Sequence, residues 1–135
     1  MRRKIFLAGL LSVGLLATGL FTAVSVQAAT QTTYNAAAFA AAQAAGKPIL
    51  VAVHAPWCPI CAKQRPILAD LAKDPAFADM VMMTVDFDSQ KDVVKAFGVQ
   101  KQSTLIVVHG SKETDRSTGV TYDVVIRKLL ETSKN

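Results

Sequence analysis

Cysteine, histidine and tryptophan are scarce in this chain: two, two and one residues among 135. Two cysteines cannot build a disulfide-dense scaffold, so the fold must rest on a hydrophobic core. Clustered positive charge is also missing. The formal net charge is +5, yet Arg2, Arg3 and Lys4 carry three of those charges; what remains is twelve basic residues against ten acidic ones. No Lys/Arg patch is left to follow a phosphate backbone, which argues against a nucleic-acid surface. No internal repeat is visible, so a repeat array is not expected.

Charge itself is absent from Ile5 to Val26. A basic start, an uncharged apolar run, and small side chains at Val26 and Ala28 before Ala29 follow the order of a secretory signal peptide. Residues 1–28 are therefore expected to be a leader and residues 29–135 the domain. The alternative is an uncleaved membrane anchor facing the periplasm, because about 20 apolar residues span a bilayer. Gly9, Gly14, Gly19, Ser12, Thr18 and Thr22 dilute the run and favour cleavage. The expected location is exported and periplasmic. In an oxidising compartment two cysteines form a pair rather than two idle thiols.

What is present after Ala29 alternates between two patterns. Thr30 to Tyr34 is short and β-prone, an expected edge strand. Asn35 caps a helix from Ala36 to Ala44, stopped by Gly46 and Pro48. Ile49 to Val53 is a continuous apolar, β-branched run, predicted as a strand buried on both faces. Cys58 to Leu71 reads as a helix with Ile67, Leu68 and Leu71 inward and a kink expected at Pro66. Val81 to Phe87 is a second buried strand. Asp88 and Ser89 look like caps of a helix ending at Phe97 and Gly98. Thr104 to Val108 and Glu113 to Thr118 read as two further strands. Thr121 reads as a cap, and Tyr122 to Leu130 as a closing amphipathic helix. The order βαβαβαββα predicts an α/β domain: a central mixed sheet of four to five strands flanked by helices, parallel in its core with an antiparallel hairpin at one edge.

The only two cysteines stand in Trp57-Cys58-Pro59-Ile60-Cys61, just after the first long apolar run. Positions three apart lie one helical turn from each other, so both sulfurs can share one end of a helix. That suits a disulfide, whose α-carbons lie about 4.4–6.8 Å apart. So short a loop does little as a staple but opens and closes readily, which points to redox chemistry.

With Trp-Cys-x-x-Cys after a buried strand, the chain resembles the thioredoxin superfamily. The likeness extends through Lys47-Pro48-Ile49-Leu50-Val51, Pro66, Val85-Asp86-Phe87-Asp88, Ala96-Phe97-Gly98-Val99 and Thr104-Leu105-Ile106-Val107. It implies a thioredoxin-like fold and a thiol–disulfide oxidoreductase acting on protein or small-molecule disulfides. It further implies an upstream redox partner, no cofactor beyond the Cys58–Cys61 disulfide, and a monomer. Cys58, at a helix N-terminus whose free N–H groups and dipole favour a thiolate, is the expected nucleophile, and Cys61, one turn deeper and shielded, the resolving thiol. Pro59 suits the first helical position. Trp57 is expected to shield the sulfurs and line a docking groove, with Ile60 and His54 in the surroundings of the pair. Ser103 and Thr104 are expected to offer backbone groups to a bound peptide.

Three departures from the family pattern stand out. Ser103 occupies the place of the proline that usually faces the cysteines, with a trans bond expected before it, since a cis bond before serine costs about 2.5–4 kcal/mol. Ala52 stands where many members carry a buried acid, and Thr84 where they carry a companion lysine. His54 is expected to compensate in part. An alternative reading is a Cu(I)-binding module or chaperone using the same two thiolates, with the room beside Ser103 in its favour. A four-ligand zinc site is not expected, because only Cys58, Cys61 and His54 can converge. His109 is read as a turn residue, and Met80, Met82 and Met83 as core.

Overall fold

Strand β2 (Pro48–His54) is built from the longest β-branched apolar run of the domain and lies at the centre of a five-stranded sheet. The computed structural model describes residue 25 and residues 27–135; the expected leader, residues 1–28, lies almost wholly outside the described residues. The elements are β1 (Thr30–Thr33), α1 (Ala36–Ala44), β2, α2 (Pro59–Ala72), β3 (Val81–Asp86), α3 (Lys91–Ala96), β4 (Thr104–His109), β5 (Lys112–Thr118) and α4 (Asp123–Glu131). The strands lie in the order β1-β3-β2-β4-β5. β1, β3 and β2 are parallel; β4 runs antiparallel to β2, and β5 antiparallel to β4. The antiparallel share thus begins at β4, beside the central strand.

Both sheet faces are covered, which explains why β2 and β4 read as unbroken apolar runs rather than alternating ones. Leu50 and Leu105 point to one face, where Leu71, Ile126 and Leu130 of α2 and α4 pack on them. Ile49, Val51, Val53, Ile106 and Val108 point to the other, under α1 and α3. There Tyr34, Phe39 and Phe97 meet with ring centroids 5.5–5.6 Å apart. Met80 and Met82 fill the first face and Met83 is equally buried, so the methionines serve as core. Ala29 is already part of this fold: it is buried, and its N–H donates to the Ala72 carbonyl at 2.7 Å.

The Asn35 side chain accepts from the Ala38 N–H and caps α1, as its residue type suggests. Two other caps differ from expectation. Asp88 and Ser89 do not cap α3, which starts at Lys91 behind Gln90. The Asp86 carboxylate accepts from the N–H groups of Asp88 and Ser89 instead, forming a turn before the helix can begin. Thr121 does not cap α4 either; Tyr122 holds that position without a side-chain hydrogen bond. Pro66 lies within α2, which continues through it to Ala72. Among the described residues no helix is long and apolar enough to cross a membrane.

Candidate active site

The loop leaving β2 turns at Ala55, whose carbonyl accepts from the Cys58 N–H at 3.1 Å. Cys58 is the N-cap of α2 in an extended conformation, and Pro59 follows at the first helical position, where its missing N–H costs nothing. The Cys58 sulfur accepts from the Cys61 N–H at 3.1 Å. An unpaired helical N–H aimed at a sulfur, reinforced by the helix dipole, stabilises a thiolate there. The two cysteines form a disulfide with α-carbons 5.3 Å apart.

Both cysteines are only 2 % exposed. Cys58 is thus as deeply covered as Cys61, the cysteine expected to lie one turn deeper. In the disulfide form the pair lies under Ala55 and against the partly buried ring of Phe87. Trp57 does not pack in that cluster: it is 60 % exposed, and its indole N–H donates to Asp88 at 2.7 Å. Asp88 also faces Lys91 at 3.8 Å. Trp57 is thereby held outside that cluster, and Trp57 and Ile60 are the two large apolar side chains of the motif left exposed for a partner to meet.

His54 ends β2 opposite Asp86, and its carbonyl accepts from the Phe87 N–H at 2.8 Å. Behind the disulfide lies a cavity of about 580 Å³ whose lining includes Cys61, Ala52, His54, Gln64, Arg65 and Thr84. Ala52 and Thr84 are register partners on its floor. A larger cavity, about 730 Å³, lies between α2 and the start of α4, at Ile67, Tyr122 and Val124, and touches neither cysteine.

Ser103 is buried and adopts φ +63°, the left-handed region a residue with a Cβ seldom enters. The peptide bond before it is trans. Its N–H donates to the Val53 carbonyl at 2.8 Å, and its carbonyl accepts from Gly119 N–H at 3.0 Å and Gln64 Nε2 at 3.2 Å. Its hydroxyl donates to the Gln102 carbonyl. Thr104 pairs with Val53 and Thr118, and its hydroxyl meets the Lys101 carbonyl and Thr118 Oγ1. The main-chain groups of Ser103 expected to receive a peptide are thus committed within the fold.

Four residues to which the sequence reading gave no part in the site shape it. Gln64 is buried and also donates to the Val120 carbonyl at 2.9 Å, tying α2 to two loops. Its signal was visible: a polar residue one turn after Cys61 on a helix whose inward positions are apolar. Phe87 packs against the sulfurs, Asp88 holds Trp57, and Asp86 holds the loop between them.

The Asp86 carboxyl is held below the usual carboxylate range. The Ser89 N–H contributes most, then the Ser89 hydroxyl; the Asp88 N–H and the His54 imidazole add to them, against a smaller opposing effect of burial. A depressed carboxylate adds stability above its unfolded pKa of about 3.9, and that stability disappears as pH falls through the folded value. Asp86→Asn is therefore expected to be less stable than the parent at pH 7, with the gap closing below about pH 4. Urea unfolding over a pH series checks this; a gap that stays constant with pH would show that charge plays no part.

His109, read from the sequence as a turn residue, is instead the last residue of β4, paired with Pro48 and Lys112; the turn begins after it. Among the described residues no group of three or more His, Cys, Asp or Glu side chains is placed to hold a metal ion.

Residues 26–132 match the thioredoxin family model, and the chain belongs to the thioredoxin family. A thioredoxin H-type of Brassica campestris is 34% identical over 94 residues, 70% of this chain and 75% of the relative. The crystal structure of Trxlp from Edwardsiella tarda superposes with a TM-score of 0.73 at 40% identity, covering 75% of this chain and 98% of that one. A thioredoxin of Malassezia sympodialis shares the fold with a TM-score of 0.71 at 16% identity, over 85% of this chain and 99% of its own. The protein is a thioredoxin-type thiol–disulfide oxidoreductase with a redox-active cysteine pair. Its family acts on protein disulfides and is served by reductants, without a separate cofactor.

Proposed function

We propose that this protein is exported as residues 29–135 and exchanges disulfides in the periplasm with protein or small thiol substrates, in the reducing direction. Cys58 attacks a partner disulfide, a mixed disulfide forms at Cys58, and Cys61 displaces the reduced partner. The observation that carries this reading is the Cys58 sulfur at the mouth of α2, receiving the Cys61 N–H. The uncharged run before Val26-Gln27-Ala28 supports export, and the closed packing of Ala29 against Ala72 supports a domain that begins there. A short domain with only one 3-10 turn, Pro75–Phe77, between α2 and β3, and no inserted helical subdomain there, supports the reducing direction. Reduction outside the cytosol needs a thiol donor, which is the proposed upstream partner.

Equilibration of the purified domain with glutathione tests the direction. The expected reduction potential lies between those of glutaredoxins and thioredoxin, about −200 to −270 mV; a value near −120 mV, that of a strong oxidant, would overturn it. Expression of the full chain in a Gram-negative host, followed by osmotic shock and N-terminal sequencing, tests export. The expected result is a soluble form starting at Ala29; retention of residues 1–28 in the membrane fraction would support the anchored form instead.

A further inference from the structure

We propose that His54 takes the proton from Cys61 when that thiol resolves the mixed disulfide, through the cavity behind the active-site helix. The inference rests on the disulfide-exchange reading above. A thiol attacks only as thiolate, so Cys61 must lose a proton to some group it can reach. On its outer side Cys61 is enclosed with Cys58, Ala55 and Phe87. Its inner side borders the cavity of about 580 Å³, which has room for water.

The lining of that cavity decides the acceptor. Besides Cys61 it contains two ionisable side chains, His54 and Arg65. Arginine stays protonated in proteins and has no lone pair to offer. Ala52 and Thr84, opposite one another on the floor, offer no base. β1 contributes Gln31, Thr32 and Thr33, none of which titrates. His54 shares the face of β2 with Ala52, two residues away, and that face turns toward α2. From β3 the only ionisable neighbour is its register partner Asp86, which remains a carboxylate and offers a counter-charge to an imidazolium. Arg65 on α2 supplies a positive charge that favours the Cys61 thiolate once formed.

The step balances. The Cys61 S–H bond breaks and its proton passes to the imidazole, directly or through one water. The thiolate attacks the Cys58 sulfur, the Cys58–Cys61 bond forms, and the bond from Cys58 to the partner sulfur breaks. The partner leaves as a thiolate, the protein dithiol is oxidised by two electrons, and the imidazolium returns its proton to solvent or to the departing thiolate.

Stopped-flow mixing of the reduced protein with dithiobisnitrobenzoate separates the two steps. The first coloured thiolate reports attack by Cys58, and the second reports resolution by Cys61. In His54→Gln the second phase is expected to slow relative to the first by about 10²-fold at pH 7. It should also lose its rise with pH, and regain rate with added imidazole. His54→Glu keeps a base at the site and should move the rise to lower pH; this variant serves if the glutamine form does not fold. A second phase with unchanged rate ratio and unchanged pH profile in both variants would overturn the proposal. Loss of the first phase in the parent protein would instead sink the disulfide-exchange reading on which it stands.

Discussion

Cys58→Ser is expected to bring reduction of insulin disulfides down to the uncatalysed background, whereas Cys61→Ala should still react once and then stall with its partner attached. The asymmetry follows from the local chain path. The Cys58 sulfur alone sits at the N-cap, where it accepts the Cys61 N–H and faces the positive end of α2. A serine hydroxyl at that place keeps the hydrogen bond but not the ionisation, because a helix terminus lowers a thiol pKa into reach of neutral pH and leaves an alcohol far above it. Cys61 lies within α2, and its work begins after the mixed disulfide exists. Removing it leaves capture intact and release broken, so Cys61→Ala should accumulate a disulfide adduct resolvable by mass spectrometry and reversed by dithiothreitol. Residual turnover in Cys58→Ser equal to the parent would show that another group attacks. A Cys61→Ala protein that forms no adduct would show that the enclosed Cys58 is not reached by partners. The test has force because both residues are so deeply covered in the disulfide form. A partner must reach a sulfur packed with Ala55 and Phe87.

Much of this arrangement is legible in the sequence. Ile49 to Val53 reads as a strand buried on both sides because it is one, held between β3 and β4. The Cys58–Cys61 spacing, with Pro59 between, reads as a helix start because one turn and one missing N–H are local matters. The bonds that the sequence does not disclose act across long stretches of it. Trp57 reads as a shield until its indole is seen donating to Asp88, 31 residues on. Gln64 reads as an ordinary polar helix position until its amide is found between Ser103 and Val120. Asp88 and Ser89 read as caps because their residue types favour caps, yet the Asp86 carboxylate claims their N–H groups first. A residue's type limits which bonds it can make, but the tertiary fold chooses among them.

Ser103 is the position where that choice has the largest consequence for stability, and Ser103→Pro and Ser103→Gly are expected to move it in opposite directions. At φ +63° the serine Cβ crowds the backbone, at roughly 1–2 kcal/mol relative to a residue without one. Glycine removes that cost and leaves the Val53, Gly119 and Gln64 hydrogen bonds in place, since all use main-chain atoms of residue 103. The expected gain is about 1 kcal/mol, partly offset by the greater freedom of glycine in the unfolded chain. Proline cannot adopt a positive φ, and it has no N–H for the Val53 carbonyl. Leaving that acceptor unmet costs about 1–3 kcal/mol, and rebuilding the turn adds to it. The combined loss, about 3 kcal/mol or more, is a large part of the stability of a domain this size. Urea unfolding of the three proteins reads the order directly: glycine above serine, serine above proline. A proline variant at least as stable as the parent would mean that the loop readily gives up its bond to Val53. The stretch from Gln102 to Thr104 would then have a second low-energy arrangement, and its bond to Gln64 would depend on which one is occupied.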